Sequence, residues 1–199
     1  MLSKSNPHFT SINQQWATPQ DFYDELDAEF FFTLDPCCTT DDCKCPEGFY
    51  HDLGVDGLSR NWSGRVFMNN PYGSSKLWTP KAAAEVLAGR CELVVGLQPA
   101  RTDTELFHSY IWDREANRPR DGVEVRFLKG RLKFGSDTYW NWLWKQEYRV
   151  DYQTGKPLLN SRGQKVKNPL YLEFGTRTPA PFPSMVVIWR QGFDLDSLL

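Results

Sequence analysis

Apolar runs and helical repeats alternate along the chain, and together they predict an α/β fold. Phe22, Leu26 and Phe30 recur every four residues and predict a helix with one buried face, which Thr18 caps and Pro19 opens. Apolar runs predict strands at 31–34, 66–68, 92–98, 123–128 and 180–189, and a short strand at 49–51. Further predicted elements are a helix from Thr79 and Pro80 to Gly89, a helix capped by Thr102 with Glu105, and a basic hairpin at 129–135.

The strand at 66–68 ends abruptly in the segment Asn-Asn-Pro-Tyr-Gly at residues 69–73. Pro71 forbids a further ladder bond and biases Asn70 towards an extended backbone. Ligands of open α/β sheets bind just past the carboxyl ends of strands. A carboxamide oxygen, a backbone carbonyl and an aromatic face could together hold a planar group with an exocyclic amine, because the amine carries two protons and the ring offers a face for stacking. The alternative is an ordinary Asn-Pro turn.

Two other polar segments lie close to predicted strands. The strand at 31–34 runs directly into Asp35-Pro36-Cys37, and an acid before proline at a strand end suits a binding site better than a core. Asp56-Gly57-Leu58 comes shortly before the strand at 66–68. The simpler interpretation of both aspartates is a turn residue.

Four short segments follow one another in a fixed order: Trp-Ala-Thr-Pro at 16–19, Asp-Pro-Cys at 35–37, Asp-Gly-Leu at 56–58 and Asn-Asn-Pro-Tyr at 69–72. In this order they resemble the phage-type DNA N-6-adenine methyltransferases (Dam family), over about residues 14–135 and 180–190. The last segment is similar to the (Asp/Asn/Ser)-Pro-Pro-(Tyr/Phe) motif of amino methyltransferases that use S-adenosylmethionine. Asn70 stands where that motif has its first proline, so the main-chain carbonyl is kept and the fixed φ of proline is lost.

The resemblance implies an abbreviated Rossmann-like, S-adenosylmethionine-dependent methyltransferase fold with an inserted basic and aromatic hairpin or lid. It implies methyl transfer to the N6 amine of an adenine flipped out of double-stranded DNA. Asn69 and the Asn70 carbonyl would then accept the amine protons, Pro71 would keep the loop rigid, and Tyr72 would stack on the base. The residues that it places around the cofactor are Trp16, Thr18, Pro19, Asp35, Pro36, Cys37, Asp56 and Asn69. It also suggests a role in protecting phage DNA from host restriction.

Other functions stay open at the level of the sequence. The same type of loop modifies glutamine side chains in proteins and the N4 amine of cytosine in DNA. Alternatively, Asn70 marks a catalytically silent site in a protein that binds DNA or the cofactor. A zinc-stapled binding module is a third possibility.

The length and composition suit one globular domain over residues 1–199, since 40% of the residues are hydrophobic and eight are tryptophan. No apolar run approaches membrane-spanning length, and the first residues lack the apolar core of a signal peptide. We therefore expect a cytoplasmic protein, in a bacterium or a phage-infected host, that acts as a monomer or weak dimer without a membrane partner.

Charge is distributed unevenly along the chain, although the net charge is only −2. Residues 114–167 contain thirteen Lys or Arg against six Asp or Glu, so a basic surface is expected there. An insertion at about 136–176 interleaves these cations with aromatic residues, which suits contact with DNA, although a lid that packs on the sheet fits the pattern equally well. The predicted DNA-binding residues are Arg101, Lys129, Arg131, Lys133, Lys145 and Arg149.

Four of the five cysteines lie within nine positions, at Cys37, Cys38, Cys43 and Cys45. Adjacent and alternate cysteines lack the spacing of zinc knuckles, so we predict free thiols and no metal. A structural zinc that also uses His51 is the alternative.

Overall fold

The structure is a computed structural model that describes residues 17–40, 42–134, 148, 156–166, 178–180 and 182–193. Three helices are present in these residues: α1 (Gln20–Phe30), α2 (Ser75–Leu87) and α3 (Glu105–Tyr110). The strands are β1 (Leu34–Asp35), β2 (Glu47–Gly48), β3 (Gly64–Met68), β4 (Cys91–Pro99), β5 (Trp112–Asp113), β6 (Arg118–Pro119), β7 (Val123–Phe127), β8 (Lys133–Phe134), β9 (Thr178–Pro179) and β10 (Ser184–Arg190). Every helix in the described ranges is too short or too polar to cross a bilayer.

Six strands form one mixed sheet in the order β2-β1-β3-β4-β10-β7. Strands β2, β1, β3 and β4 are mutually parallel, whereas β10 runs antiparallel to both of its neighbours. Two small ribbons, β5 with β6 and β8 with β9, lie outside this sheet. Because four adjacent strands are parallel, their carboxyl ends meet along one edge, which is where α/β proteins bind ligands.

Both faces of the sheet are buried under helices. Along β3, Val66 and Met68 belong to the core shared with α2 and α3, while Phe67 belongs to the core shared with α1. This alternation follows from the two-residue period of a strand. The buried apolar run at 66–68 therefore predicted a strand that is covered on both sides, and the structure confirms it.

The first helix forms as predicted, but its start and the following strand differ in detail. Thr18 does not cap α1; Pro19 occupies the cap position, and the Thr18 hydroxyl accepts a hydrogen bond from Asn69 instead. The buried face consists of Tyr23, Leu26 and Phe30. The predicted strand at 31–34 was placed too early, because Phe31 ends the helix in a left-handed conformation (φ 52°) and pairing begins only at Leu34.

Several other predicted boundaries were wrong. The second strand is β2 and not 49–51, since His51 begins a 3-10 turn. Helix α2 begins at Ser75, so Thr79 and Pro80 lie inside it; Pro80 removes only the bond that would reach the carbonyl of residue 76. Helix α3 is capped by Thr104 rather than Thr102, because the Thr104 hydroxyl accepts a hydrogen bond from the Phe107 amide.

The carboxyl-terminal third is assembled differently from the prediction. The basic hairpin at 129–135 does not form between β7 and β8, because β7 pairs with β10 and β8 pairs with β9. The closing strand begins at Ser184 rather than at residue 180. Most of the predicted insertion at 136–176 lies outside the described residues, with the exception of Tyr148 and residues 156–166.

Candidate active site

A cavity of about 350 Å³ opens at the carboxyl ends of β1 and β3. The predicted site residues that line it are Thr18, Asp35, Pro36, Cys37, Asp56, Asn69 and Pro71. Pro19, Asn70 and Tyr72 do not line the cavity, and Trp16 lies outside the described residues. Predicted site residues up to 53 positions apart in the sequence, Thr18 and Pro71, therefore meet at one place.

Asn69 follows directly after β3 and is half-buried. Its amide nitrogen donates a hydrogen bond to the Thr18 hydroxyl at 2.9 Å. This contact ties the segment before α1 to the end of β3 and fixes the plane of the carboxamide. With the nitrogen directed at Thr18, the oxygen is the end of the carboxamide that can accept a hydrogen bond from a ligand.

Asn70 is 2% exposed, and its buried side chain forms hydrogen bonds within the loop after β3. Its amide nitrogen donates to the Pro71 carbonyl at 3.0 Å and to the Ser75 hydroxyl at 3.2 Å. The Ser75 hydroxyl in turn donates to the Tyr72 carbonyl at 2.9 Å. Side-chain hydrogen bonds thus provide rigidity at the position where the related motif has a proline ring.

Tyr72 packs edge-on against two phenylalanines next to the loop. Its ring centroid lies 5.3 Å from that of Phe182 and 6.2 Å from that of Phe134, with interplanar angles of 77° and 74°. Burial raises the pKa of its hydroxyl well above the ordinary value, and among the described residues this hydroxyl has no hydrogen-bond partner. The ring orientation is therefore set by aromatic packing.

Asp35 places a buried carboxyl group at the edge of the cavity. The side chain is 5% exposed, and one oxygen accepts a hydrogen bond from the Cys37 amide at 2.9 Å. Burial raises the pKa of Asp35 to about 8, and burial also raises the pKa of the Cys37 thiol. A buried carboxyl of this kind is stabilised in its ionised form by a positively charged partner.

Asp56 and Gly57 belong to a loop before β3 that packs against the segment after β1. The Asp56 side chain accepts a hydrogen bond from the Leu58 amide at 3.0 Å, so it also has the predicted role of a turn residue. A Cβ atom at Gly57 would lie 2.1 Å from the Pro36 carbonyl oxygen, which only glycine avoids. The Trp62 indole nitrogen donates to the Gly57 carbonyl at 2.8 Å and holds this close approach.

The cavity also contains polar residues that the sequence did not identify as site residues, namely Thr39, Lys44 and Ser74. His51, which the sequence offered only as a ligand of the alternative zinc site, lines the cavity as well. Asp42 also lines the cavity. The Lys44 ammonium lies 3.0 Å from Asp42 and donates to Gln20 at 3.1 Å. Ser74 lies in the 3-10 turn after β3, and the other residues belong to an irregular segment between β1 and β3. The only sequence signal was a concentration of polar residues between two strand ends.

The described members of the predicted DNA-binding set are exposed: Arg101, Lys129, Arg131 and Lys133. Lys145 and Arg149 lie outside the described residues. Residues 156–166 form a small exposed hairpin, in which Leu159 pairs with Lys165 and Gly163 adopts a left-handed conformation. Three cations, Lys156, Arg162 and Lys165, lie on this hairpin and no acid does.

The DNA N-6-adenine-methyltransferase (Dam) family model matches residues 6–157, about three quarters of the 199-residue chain. No curated protein and no solved structure gives a significant match. The matched span includes all the residues that line the cavity, and it ends at the start of the exposed hairpin.

Proposed function

This chain belongs to the DNA N-6-adenine-methyltransferase (Dam) family, and from that premise we propose that it transfers a methyl group from S-adenosylmethionine to the N6 amine of an adenine flipped out of double-stranded DNA. The observation that carries the proposal is the junction of two segments at one cavity: Asn69 and Pro71 line it from β3, and Asp35 lines it from β1. We assign the chain to one Rossmann-like methyltransferase domain, with which its mixed α/β sheet is compatible.

The residues around the cavity fit the cofactor. A volume of about 350 Å³ is within the range of small-molecule sites, which is roughly 300–1,000 Å³. The buried Asp35 carboxyl group suits the ammonium group at the methionine end, and Asp42, Lys44 and His51 offer polar contacts for hydroxyl and carboxylate groups. When bound, S-adenosylmethionine supplies a methyl group on a positively charged sulfur.

The loop after β3 would position the amine. The Asn69 side-chain oxygen would accept a hydrogen bond from one N–H of the amine, and the Asn70 carbonyl would accept a hydrogen bond from the other, which turns the nitrogen lone pair out of conjugation with the ring. The loop would therefore accelerate methyl transfer by orienting the amine and by electrostatic stabilisation. Tyr72, held edge-on by Phe134 and Phe182, stacks on the flipped base and offsets part of the few kcal/mol that unstacking costs.

The basic residues around β8 would contact DNA phosphates. Lys133 directly precedes Phe134, whose ring contacts Tyr72, so this exposed cation lies only a few residues from the proposed base-binding loop. Lys129 and Arg131 precede it on the same segment. The hairpin at 156–166 adds three cations and fits the described part of a DNA-contacting insertion.

The direct test is incubation of the protein with S-adenosylmethionine and unmethylated DNA, followed by digestion to nucleosides and mass detection. We expect N6-methyladenine. We expect Asn69→Ala to lower the rate at least about 100-fold, comparable to the loss of one transition-state hydrogen bond, with little change in cofactor affinity. Thr18→Val is a graded comparison, because it removes the hydroxyl that orients Asn69 and leaves the Asn69 oxygen in place, so it should cause a smaller loss.

Other outcomes would redirect the assignment. Methylation of cytosine N4 or of a protein glutamine would replace the acceptor and keep the loop chemistry. Cofactor binding with no methylated product from any acceptor would identify a silent site. Full activity in Asn69→Ala would overturn the proposed role of the loop.

A further inference from the structure

Cys38 and Cys43 lie side by side because their neighbours in the chain, Thr39 and Asp42, form a backbone bridge. Thr39 and Asp42 exchange two backbone hydrogen bonds, at 3.3 Å and 3.2 Å, and thereby form an antiparallel bridge. The two cysteines directly flank this bridge, so the backbone brings them opposite each other. Their spacing is Cys-x4-Cys, which lies within the range found for pairs of zinc ligands.

Asp35 adds a third ligand atom to this pair. The two sulfur atoms and one Asp35 carboxylate oxygen all lie within 4.8 Å of one another. Cys38 is 2% exposed and Asp35 is 5% exposed, while Cys43 is half-buried. A tetrahedral zinc ion about 2.3 Å from each sulfur holds two sulfurs about 3.8 Å apart, so these side chains need only small movements to bind one.

The chain leaves space for the two thiols at Gly48. A Cβ atom there would lie 2.3 Å from the Cys38 sulfur and 2.4 Å from the Cys43 sulfur. Gly48 pairs with Asp35 across β1 and β2, so the sheet itself brings the glycine and the three ligand atoms together. The nearby Lys44 ammonium is engaged by Asp42 and Gln20.

We propose that Cys38, Cys43 and Asp35 form a zinc site, with a water molecule as fourth ligand. Two sulfurs and one carboxylate oxygen are a donor set that zinc accepts, and three closely spaced groups that can all carry negative charge favour a divalent cation. The ion would clamp the turn at 38–43, which carries Thr39 and Asp42 on the wall of the cavity. Asp35 is also the carboxyl group that we assign to the ammonium group of the cofactor, so one of its oxygens would bind the ion and the other would remain for the ammonium group. The proposed site replaces our expectation of free thiols without a metal.

The test uses the full chain, purified under reducing conditions without chelators, and measures zinc per chain by mass spectrometry. We expect about one zinc ion per chain. Cys38→Ser and Cys43→Ser should each lower zinc affinity at least about 100-fold, since even residues outside the ligand shell are worth about 10–100-fold. Cys91→Ala is the matched control, because Cys91 is a buried thiol in β4 outside the cluster, and it should retain the metal.

Two further measurements keep the result independent of folding defects and of enzymatic activity. Cobalt(II) added to the metal-free wild-type protein should show tetrahedral absorption bands with sulfur-to-metal charge transfer. Gly48→Ala should lose the metal although all five cysteines remain. The proposal is overturned if the wild-type chain binds neither zinc nor cobalt, if either cysteine variant retains the metal, or if the protein from reducing cells contains a Cys38–Cys43 disulfide instead.

Discussion

At the scale of single residues, Asn70 has two roles that one substitution can test separately: its side chain stabilises the loop, and its backbone carbonyl is proposed to bind the amine. Asn70→Ala removes the hydrogen bonds to Pro71 and Ser75 but keeps the backbone carbonyl that we assign to the amine. We expect a loss of about 1–3 kcal/mol of unfolding free energy, or about 2–4 °C in melting temperature for each kcal/mol. Methyl transfer should stay at least ten times faster than in Asn69→Ala, and it should be slower than in the wild type because a less rigid loop positions the amine less well. A folded Asn70→Ala protein as inactive as Asn69→Ala would contradict this division.

Tyr72 allows a second test at this scale, because its hydroxyl and its ring have separate roles. Tyr72→Phe removes a buried hydroxyl without a partner among the described residues, so activity should stay within about three-fold and stability should not fall. Tyr72→Ala should lower the rate about 5- to 150-fold, the equivalent of about 1–3 kcal/mol for stacking on one base.

Tyr72→Leu is the informative control for that series. Leucine fills apolar space beside Phe134 and Phe182 but has no aromatic face. If stacking matters, the rate measured with duplex DNA should fall for leucine nearly as far as for alanine, while thermal stability falls less. Equal rates for leucine and phenylalanine would show that Tyr72 only fills space.

At the scale of elements, the second helix depends on a buried ion pair. Glu85 of α2 is fully buried and contacts both Lys81 and Arg90. Burial alone raises the pKa of Glu85, but the hydrogen bonds from Arg90 and Lys81 outweigh it, and the net pKa is lowered. A carboxyl group with a lowered folded-state pKa stabilises the fold above its unfolded pKa, about 4.3, and this contribution is lost as the pH falls through the folded value.

Glu85→Gln should therefore destabilise the protein by roughly 1–3 kcal/mol at pH 7, since Lys81 and Arg90 lose their partner but can still reach water. The difference from wild type should shrink below about pH 4, where the wild-type contribution is also being lost. Denaturant unfolding at pH 7 and at pH 3.5 measures both values. Glu92→Gln is the control, because Glu92 is exposed and pairs with Arg65 at 3.5 Å, and its effect should stay within about 0.5 kcal/mol at either pH.

Some helices and strands could be predicted from the sequence, and others could not. The strand at 66–68 and the strand at 92–98 were correct because long buried apolar runs have few alternatives. The start of α2 was wrong because Thr79 and Pro80 carry the local pattern of a helix start, whereas the real start at Ser75 continues from the 3-10 turn at 72–74. Helix starts that depend on tertiary packing leave little local signal.

The residues that line the cavity also divide into those that could be predicted from the sequence and those that could not. Asp35, Asp56 and Asn69 could be predicted because each follows a recognisable segment, and the structure brings all three to one cavity. Thr39 and Lys44 could not, because the irregular segment between β1 and β3 has no periodicity that would fix which side chains face inward. The proximity of Cys38 and Cys43 depends on the backbone bridge between Thr39 and Asp42, and the sequence shows only the spacing of the two cysteines.

At the scale of the whole molecule, binding to DNA has to be reconciled with a net charge of −2. A local excess of cations at 114–167 resolves this, because phosphate contacts depend on nearby charges and screening limits the influence of distant acids. The basic segment at 129–133 is joined directly to Phe134 and through it to Tyr72. A duplex held there would have its backbone close to the loop that receives the flipped base.

This arrangement predicts how binding responds to salt. Each phosphate contact contributes about 0.9 to the slope of log K against log salt concentration, so replacement of Lys129, Arg131 and Lys133 by alanine should reduce the slope by up to about 3. Arg118→Ala should leave the slope nearly unchanged, since Arg118 is already paired with Asp121 at 2.6 Å. Fluorescence anisotropy with a labelled duplex over a series of salt concentrations measures both. Weaker binding with an unchanged slope in the triple variant would mean that these cations act through folding and do not contact phosphates, and it would move the DNA-binding surface to another part of the molecule.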